Sequence, residues 1–196
     1  MTTPTSPETV VQRSHDHLTS CRICSGADLH VILSLGNTPL ANSLLLKDQL
    51  DQEEPHYALE LAMCSTCSLV QIKETVAPEL LFRNYLYFTS FSETMLKHAE
   101  ELSLEITQQR KLGPDSLVAE IASNDGYLLQ YYKAKNIPVL GIEPAKNVAA
   151  VSIEKGIDTI TEFFNAELAS QLVAKGMQAD VTVSYTHLTL PTNREV

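Results

Sequence analysis

Two C-x-x-C pairs, Cys21-Arg22-Ile23-Cys24 and Cys64-Ser65-Thr66-Cys67, constrain this chain more than any other feature, and they hold all four of its cysteines. Two intervening residues let both sulfurs of a knuckle turn toward one point. Two knuckles then supply four thiolates in a tetrahedron, which suits Zn2+ and closes its coordination shell. A closed shell leaves no position for water, so the expected metal is structural; iron can take the same four thiolates. The alternative is two unrelated buried or redox-active pairs. The 39 residues between Cys24 and Cys64 exceed what a minimal ribbon needs and call for structure of their own.

Composition narrows the partners. The net charge is -10, and the 14 Lys and Arg residues form no dense run. A phosphate-backbone binder needs clustered cations, so nucleic acid is not expected as a partner. No apolar run approaches the roughly 20 residues that span a bilayer, so no membrane partner is expected. The stretch Met1 to Ser20 is polar and lacks the apolar core of a signal peptide. A cytoplasmic location with reduced thiols follows as the expectation, and cysteines there read as metal ligands before disulfides.

Along the chain, residues 1–18 are expected to be a disordered tail. Residues 19–75 have the texture of a small metal-stapled domain, with turn signals at Ser25-Gly26, Gly36-Asn37 and Pro39. Residues 76–112 form a linker region in which Pro78 to Arg110 reads as helical, Met95, Leu96, Ala99, Leu102 and Ile106 making one apolar face. Over 113–182 the pattern alternates. Short apolar runs at Leu117 to Ile121, Pro138 to Ile142, Ile157 to Thr161 and Ala179 to Val183 read as strands. Helical segments at Gly126 to Lys135, Asn147 to Lys155 and Ala166 to Lys175 separate them. Crossover helices of this length make right-handed units and a parallel sheet, so the fold class is α/β with a small four-cysteine zinc-binding module in front. The string Val183 to Thr192 is Thr-rich and aperiodic. It resembles the translation of a transposase adaptor used in shotgun sequencing, and 183–196 is expected to be such an artefact.

The first strand runs through a turn of small residues, Glu120-Ile121-Ala122-Ser123-Asn124-Asp125-Gly126, into a helical segment. Small residues let a ligand approach the backbone closely, and a helix start offers free N–H groups. Glu143 ends the next strand in Gly141-Ile142-Glu143-Pro144, where a carboxylate accepts hydrogen bonds from the hydroxyls of an adenosine ribose. The dinucleotide G-x-G-x-x-G is missing. A cofactor without a pyrophosphate, such as S-adenosylmethionine, fits better than NAD; a plain scaffold turn is the alternative.

Six strings taken together carry a family resemblance: Cys21-Arg-Ile-Cys24, Leu35-Gly-Asn-Thr-Pro-Leu-Ala-Asn42, Cys64-Ser-Thr-Cys-Ser-Leu-Val-Gln71, Tyr85-Leu-Tyr-Phe-Thr-Ser90, Glu120-Ile-Ala-Ser-Asn-Asp-Gly-Tyr-Leu-Leu129 and Gly141-Ile-Glu-Pro-Ala145. They resemble the zinc-domain-containing, S-adenosylmethionine-dependent methyltransferases that alkylate carbon 3 of nucleotide-linked 4-keto deoxysugars. The resemblance covers about Cys21 to Val181. It implies a zinc domain, a class I methyltransferase domain with a Rossmann-like sheet, and a further C-terminal domain, of which this chain holds the first and about half of the second. On that resemblance, 113–182 is the N-terminal half of the methyltransferase domain and the chain alone is expected to be inactive. Cys21, Cys24, Cys64 and Cys67 match the metal ligands. Glu120, Ala122, Ser123, Asn124, Gly126, Glu143 and Pro144 match the cofactor site. Tyr87 matches a tyrosine near the sugar, and Ser90, Ser92 and Lys97 are candidates to meet the nucleotide phosphates. Ser92 also suits a helix N-cap, Lys97 a solvated charge, and Tyr87 a plain surface or core residue. Further acid–base residues, a histidine among them, are implied after the fourth strand; His15, His17, His30, His56 and His98 read as surface or packing residues. A zinc-domain methyltransferase acting on another small acceptor, or a zinc ribbon binding nucleic acid or protein, is the alternative reading.

Overall fold

The computed structural model describes residues 15–184. The chain divides into two compact units, Met1–Leu81 and Phe82–Val196. Among its described residues the first contains five strands: β1 (His15–His17), β2 (Leu29–Thr38), β3 (Tyr57–Cys64), β4 (Val70–Ile72) and β5 (Glu74–Val76). Strands β2, β3 and β4 form an antiparallel sheet in that order, and β1 pairs antiparallel with β5. The apolar run at Val31 lies within β2, whose register against β3 slips twice, between Val31 and Leu33 and between Ser34 and Asn37. Among the described residues of this unit, only Cys21, Ala62 and Cys64 are buried apolar side chains. A core that small cannot offset the entropy of ordering the chain, which is the usual reason for a metal staple.

Helix α1 (Pro78–Phe82) opens with the proline that a first helical position accepts at no cost. In the second unit, α2 (Glu93–Arg110) is capped by Ser92, whose hydroxyl accepts from the Met95 N–H at 3.3 Å. It ends at Lys111, in the left-handed conformation. Four parallel strands follow: β6 (Val118–Ile121), β7 (Val139–Ile142), β8 (Thr159–Ile160) and β9 (Val181–Val183), in the order β8-β7-β6-β9. Helices α3 (Leu129–Lys133), α4 (Lys146–Glu154) and α5 (Ala166–Ala174) connect them. Alternation along β6 sends Val118 into a cluster with Ala99, Leu128, Leu129 and Tyr132, and Ala119 into another with Leu140, Ile142 and Leu172. Both sheet faces are therefore packed, as a parallel sheet requires. No helix among the described residues is long and apolar enough to cross a membrane.

Several expectations need correction. The helix expected over Pro78 to Arg110 is two helices, with residues 83–92 non-helical apart from a 3-10 turn at Thr89–Phe91. The helix expected from Gly126 begins only at Leu129, because the preceding turn carries Asn124 and Gly126 at positive φ. The third strand is two residues rather than five. The tail expected over 1–18 is ordered from His15, which enters β1; residues 1–14 lie outside the described residues. Of the adaptor-like string, Val183 closes β9 opposite Glu120, Ser184 follows it, and 185–196 lie outside the described residues.

Candidate functional site: a thiolate centre and a cleft at the strand ends

The two knuckles are built alike. The Ser25 N–H donates to the Cys21 carbonyl at 3.0 Å, and the Ser68 N–H to the Cys64 carbonyl at 2.9 Å. Both serines sit at positive φ, so each chain reverses just after its second cysteine. Strand β2 begins soon after the first knuckle, and the β3–β4 connection carries the second, so the sheet brings them together. Sγ of Cys21 lies 3.6 Å from Sγ of Cys67, Sγ of Cys24 lies 3.6 Å from Sγ of Cys64, and all four sulfurs fall within 4.8 Å of one another. Tetrahedral zinc at ~2.3 Å from each sulfur needs sulfur separations of about 3.8 Å, so the donor set fits the ion.

The sulfurs also feel their own backbone. N–H groups of Cys24 and Ile23 aimed at Cys21 hold its thiol down at about 6. Cys64 is lowered in the same way, chiefly by the Cys67 N–H. At Cys67 the Leu69 N–H acts to lower the value, but Cys24, desolvation, Cys21 and Cys64 together push it up to about 12. Four sulfurs packed this tightly repel as thiolates, and a divalent cation among them removes that repulsion. Gln71, buried within β4, accepts from the Arg22 N–H at 3.2 Å and so ties the first knuckle to that strand. Gly26 fits where a Cβ would meet Thr66 Oγ1 at 2.8 Å.

In the second unit, a cleft of about 380 Å³ opens at the carboxyl ends of β6 and β7, where ligands of open parallel sheets bind. Ala122 and Asn124 line it from the first turn, and Glu143 and Pro144 from the second. Phe82, Tyr85, Phe163 and Phe164 supply aromatic walls. Both oxygens of the buried Glu143 carboxylate are engaged: Oε2 accepts from the Asn124 N–H at 2.9 Å and Oε1 from the Ala145 N–H at 2.8 Å. Each oxygen keeps a further lone pair for a hydroxyl donor. Burial raises the Glu143 carboxyl above its usual range, and the two backbone donors oppose the rise.

The other residues expected at the cofactor, Glu120, Ser123 and Gly126, are not among those that line the cleft. Glu120 is buried and its carboxyl is driven well above its usual value, first by burial, against a hydrogen bond from Tyr127 and with Glu143 and Asp125 adding to the rise. Ser123 is fully buried against Gly141, where a Cβ would meet its hydroxyl. Gly126 sits at φ +75°, and a Cβ there would run into Ile157 and Ser152. Glu120 Oε2, Ser123 Oγ and Asp125 Oδ1 are buried polar atoms without a hydrogen-bond partner.

Residues 83–90 form a strap over these turns, where a continuous helix was expected. Asn147 clamps Tyr85, accepting from its N–H at 3.0 Å and donating to its carbonyl. Asn124 clamps the next stretch, accepting from the Thr89 N–H and donating to the Tyr87 carbonyl, both at 3.0 Å. Tyr87 thus has its backbone held between two amides while its side chain is half exposed. Ser90 donates to Asp125, which also pairs with Lys155 at 3.6 Å. Ser92 serves as the α2 cap, and Lys97 is exposed and pairs with Glu101 at 3.9 Å. The density of Phe and Tyr between Phe82 and Phe91, and the Phe163-Phe164 pair after a short strand, were the available signals for the aromatic walls.

Residues 21–82 match the family described as "Putative zinc binding domain". The chain is 30% identical over 155 residues to the C-methyltransferase NovU of Streptomyces niveus, covering 79% of this chain. These likenesses agree with the coarse part of the resemblance drawn from the motifs: residues 21–82 are similar to a zinc-binding domain family, and the chain is similar to a C-methyltransferase. It spans 37% of the length of that curated relative. Among solved structures, the YcgJ protein of Bacillus subtilis aligns over 48% of this chain and 32% of its own, with 15% identity and a TM-score of 0.25. The NADPH complex of Escherichia coli quinone oxidoreductase aligns over 68% and 43%, with 15% identity and a TM-score of 0.39. Likenesses this slight carry no argument about the cleft.

Proposed function

We propose that this chain carries the zinc domain and the cofactor-binding part of an S-adenosylmethionine-dependent C-methyltransferase that acts in the cytoplasm on a nucleotide-linked 4-keto deoxysugar. The single observation carrying the reading is the Glu143 carboxylate, held by two backbone donors at the end of β7 and lining a cleft with four aromatic side chains. A buried carboxylate with spare lone pairs suits a pair of ribose hydroxyls, and aromatic walls suit a flat purine. The donor set therefore fits an adenosyl group.

When bound, S-adenosylmethionine supplies an electrophilic methyl group. The chain's own residues then have separable tasks. Glu143 accepts from the ribose and fixes the adenosyl end. Ala122 leaves room for the ligand beside the backbone, and Asn124 couples that turn to the strap. Tyr87, held between its two clamps, meets the sugar, where a phenol is suited to a proton or an enolate oxygen next to the ketone. Ser90, Ser92 and Lys97 are assigned to the nucleotide phosphates, in exchange for their present contacts. The C4 ketone acidifies the C3 proton, whose removal makes carbon 3 the nucleophile. Zinc braces the first unit and takes no part in the chemistry.

Calorimetric titration with S-adenosylhomocysteine tests the cofactor reading, with NADH as the control. Saturable one-site binding of the first and none of the second is expected. The reverse pattern would remove the methyltransferase assignment.

A further inference from the structure

Arg83 lies on the strap, outside every residue assigned to the cofactor, yet it joins two edges of the cleft. It stands next to Phe82 and two residues before Tyr85, both of which line the cleft. Its guanidinium reaches the segment that follows β8. Nη1 donates to the Thr161 carbonyl at 3.1 Å, and Nη2 pairs with Glu162 Oε2 at 3.5 Å. Its Cζ lies 4.8 Å from the centroid of the Phe163 ring, a cation–π contact. Phe163 and its neighbour Phe164 form the facing part of the aromatic lining. The backbone at Arg83 is anchored as well, since its carbonyl accepts from the Lys146 N–H at 3.2 Å, where α4 begins.

We propose that Arg83 is a positioning residue for adenosyl binding: it clasps the post-β8 segment to the strap and thereby sets the separation of the aromatic walls. The inference rests on the reading of the cleft given above. The chemistry explains why the residue is arginine. One planar fork satisfies a carbonyl, a carboxylate and a ring face at once, which the point charge of lysine cannot do. The segment it holds has little else to fix it. β8 is only two residues long and, among the described residues, is an outer strand of the sheet, paired with β7 alone. Glu162 and Phe164 are exposed. Without the clasp, Phe163 keeps its place in sequence but loses the contact that orients its ring. The walls then have to be ordered by the ligand, and affinity falls by the cost of that ordering.

The test uses the 196-residue chain and two ligands, S-adenosylhomocysteine and 5′-methylthioadenosine, the second lacking the amino-acid end. R83A is expected to weaken both by a similar factor, roughly tenfold, because the loss sits at the adenosine end. R83K is expected to fall between R83A and the unsubstituted chain. In an F163A background, R83A should add little further loss, since Arg83 acts through that ring. Amide exchange at residues 161–164 without ligand should quicken in R83A, a readout independent of binding. Additive losses in the double variant, or unchanged affinity in R83A, would overturn the inference. Failure of the unsubstituted chain to bind either ligand would instead overturn the adenosyl reading of the cleft and this inference with it.

Discussion

The Asn124 backbone N–H donates to Glu143 Oε2 at 2.9 Å. This bond links the turn after β6 to the end of β7, so the two sequence segments expected to share a ligand are joined directly. Replacing Glu143 with alanine removes the acceptor from two buried N–H groups and from any ribose. The expected loss in adenosyl affinity is about 1–3 kcal/mol, the cost of leaving polar groups unpaired. Calorimetry on E143A decides it, and unchanged affinity would mean that the carboxylate does not meet the ligand.

Glu120 is a pH handle on stability. Burial raises its carboxyl well above the ordinary 4.5, so the folded chain holds a proton that the unfolded chain releases. That preference stabilises the fold fully below the unfolded value and fades as pH rises through the folded value. E120Q, neutral at every pH, is expected to melt at a higher temperature than the unsubstituted chain at neutral pH. Its melting temperature should also change less as pH rises above the ordinary carboxylate value. Parallel curves for the two proteins would show that Glu120 titrates normally.

Metal analysis of the purified chain is expected to find one zinc. The ligands bind as thiolates, so uptake at neutral pH should release protons and affinity should fall as pH drops. C64S is expected to lose the metal and the order of the first unit, whose few buried apolar side chains include two of the ligands. A folded, metal-free, monodisperse C64S sample would refute the structural role.

Gly126 marks where packing rather than ligand approach demands glycine. At φ +75°, with Ile157 and Ser152 in the path of a Cβ, alanine is expected to cost about 1–3 kcal/mol. Gly113 has open space around its Cβ position, so G113A should stay within about 0.5 kcal/mol of the unsubstituted chain. Chemical denaturation of both variants checks the contrast.

The chain as given is expected to transfer no methyl group to a nucleotide-linked 4-keto sugar, because the family resemblance implies acid–base residues after the fourth parallel strand. A radiolabelled methyl-transfer assay measures this. Turnover would move the acid–base work onto residues described above, Tyr87 first among them.

The parts of this molecule that could be read in advance are those governed by spacing. Two residues between cysteines suffice to aim two sulfurs, and the four meet as expected. Apolar runs such as Val118 to Ile121 and Val139 to Ile142 announce buried strands because a parallel sheet is covered on both faces. The strap could not be read the same way. The apolar periodicity that suggests a continuous helix lies in Met95 to Ile106, and what prevents the helix in the strap is distant. The amides of Asn124 and Asn147 occupy backbone groups of Tyr85, Tyr87 and Thr89 that a helix would have used. Arg83 was invisible for a similar reason, since its partners Thr161, Glu162 and Phe163 arrive only through the tertiary fold.

Strand β6 has β7 on one side and β9 on the other, and β9 comes last of the four in the chain. During synthesis, the strand that bears the nucleotide turn therefore emerges early and waits with one edge open. Its second ladder begins to close only when Val181 and Thr182 leave the ribosome. A nascent chain stalled within α5 would expose that edge to other chains, so the rate at which β9 is delivered sets how long this edge of β6 is vulnerable to misassembly.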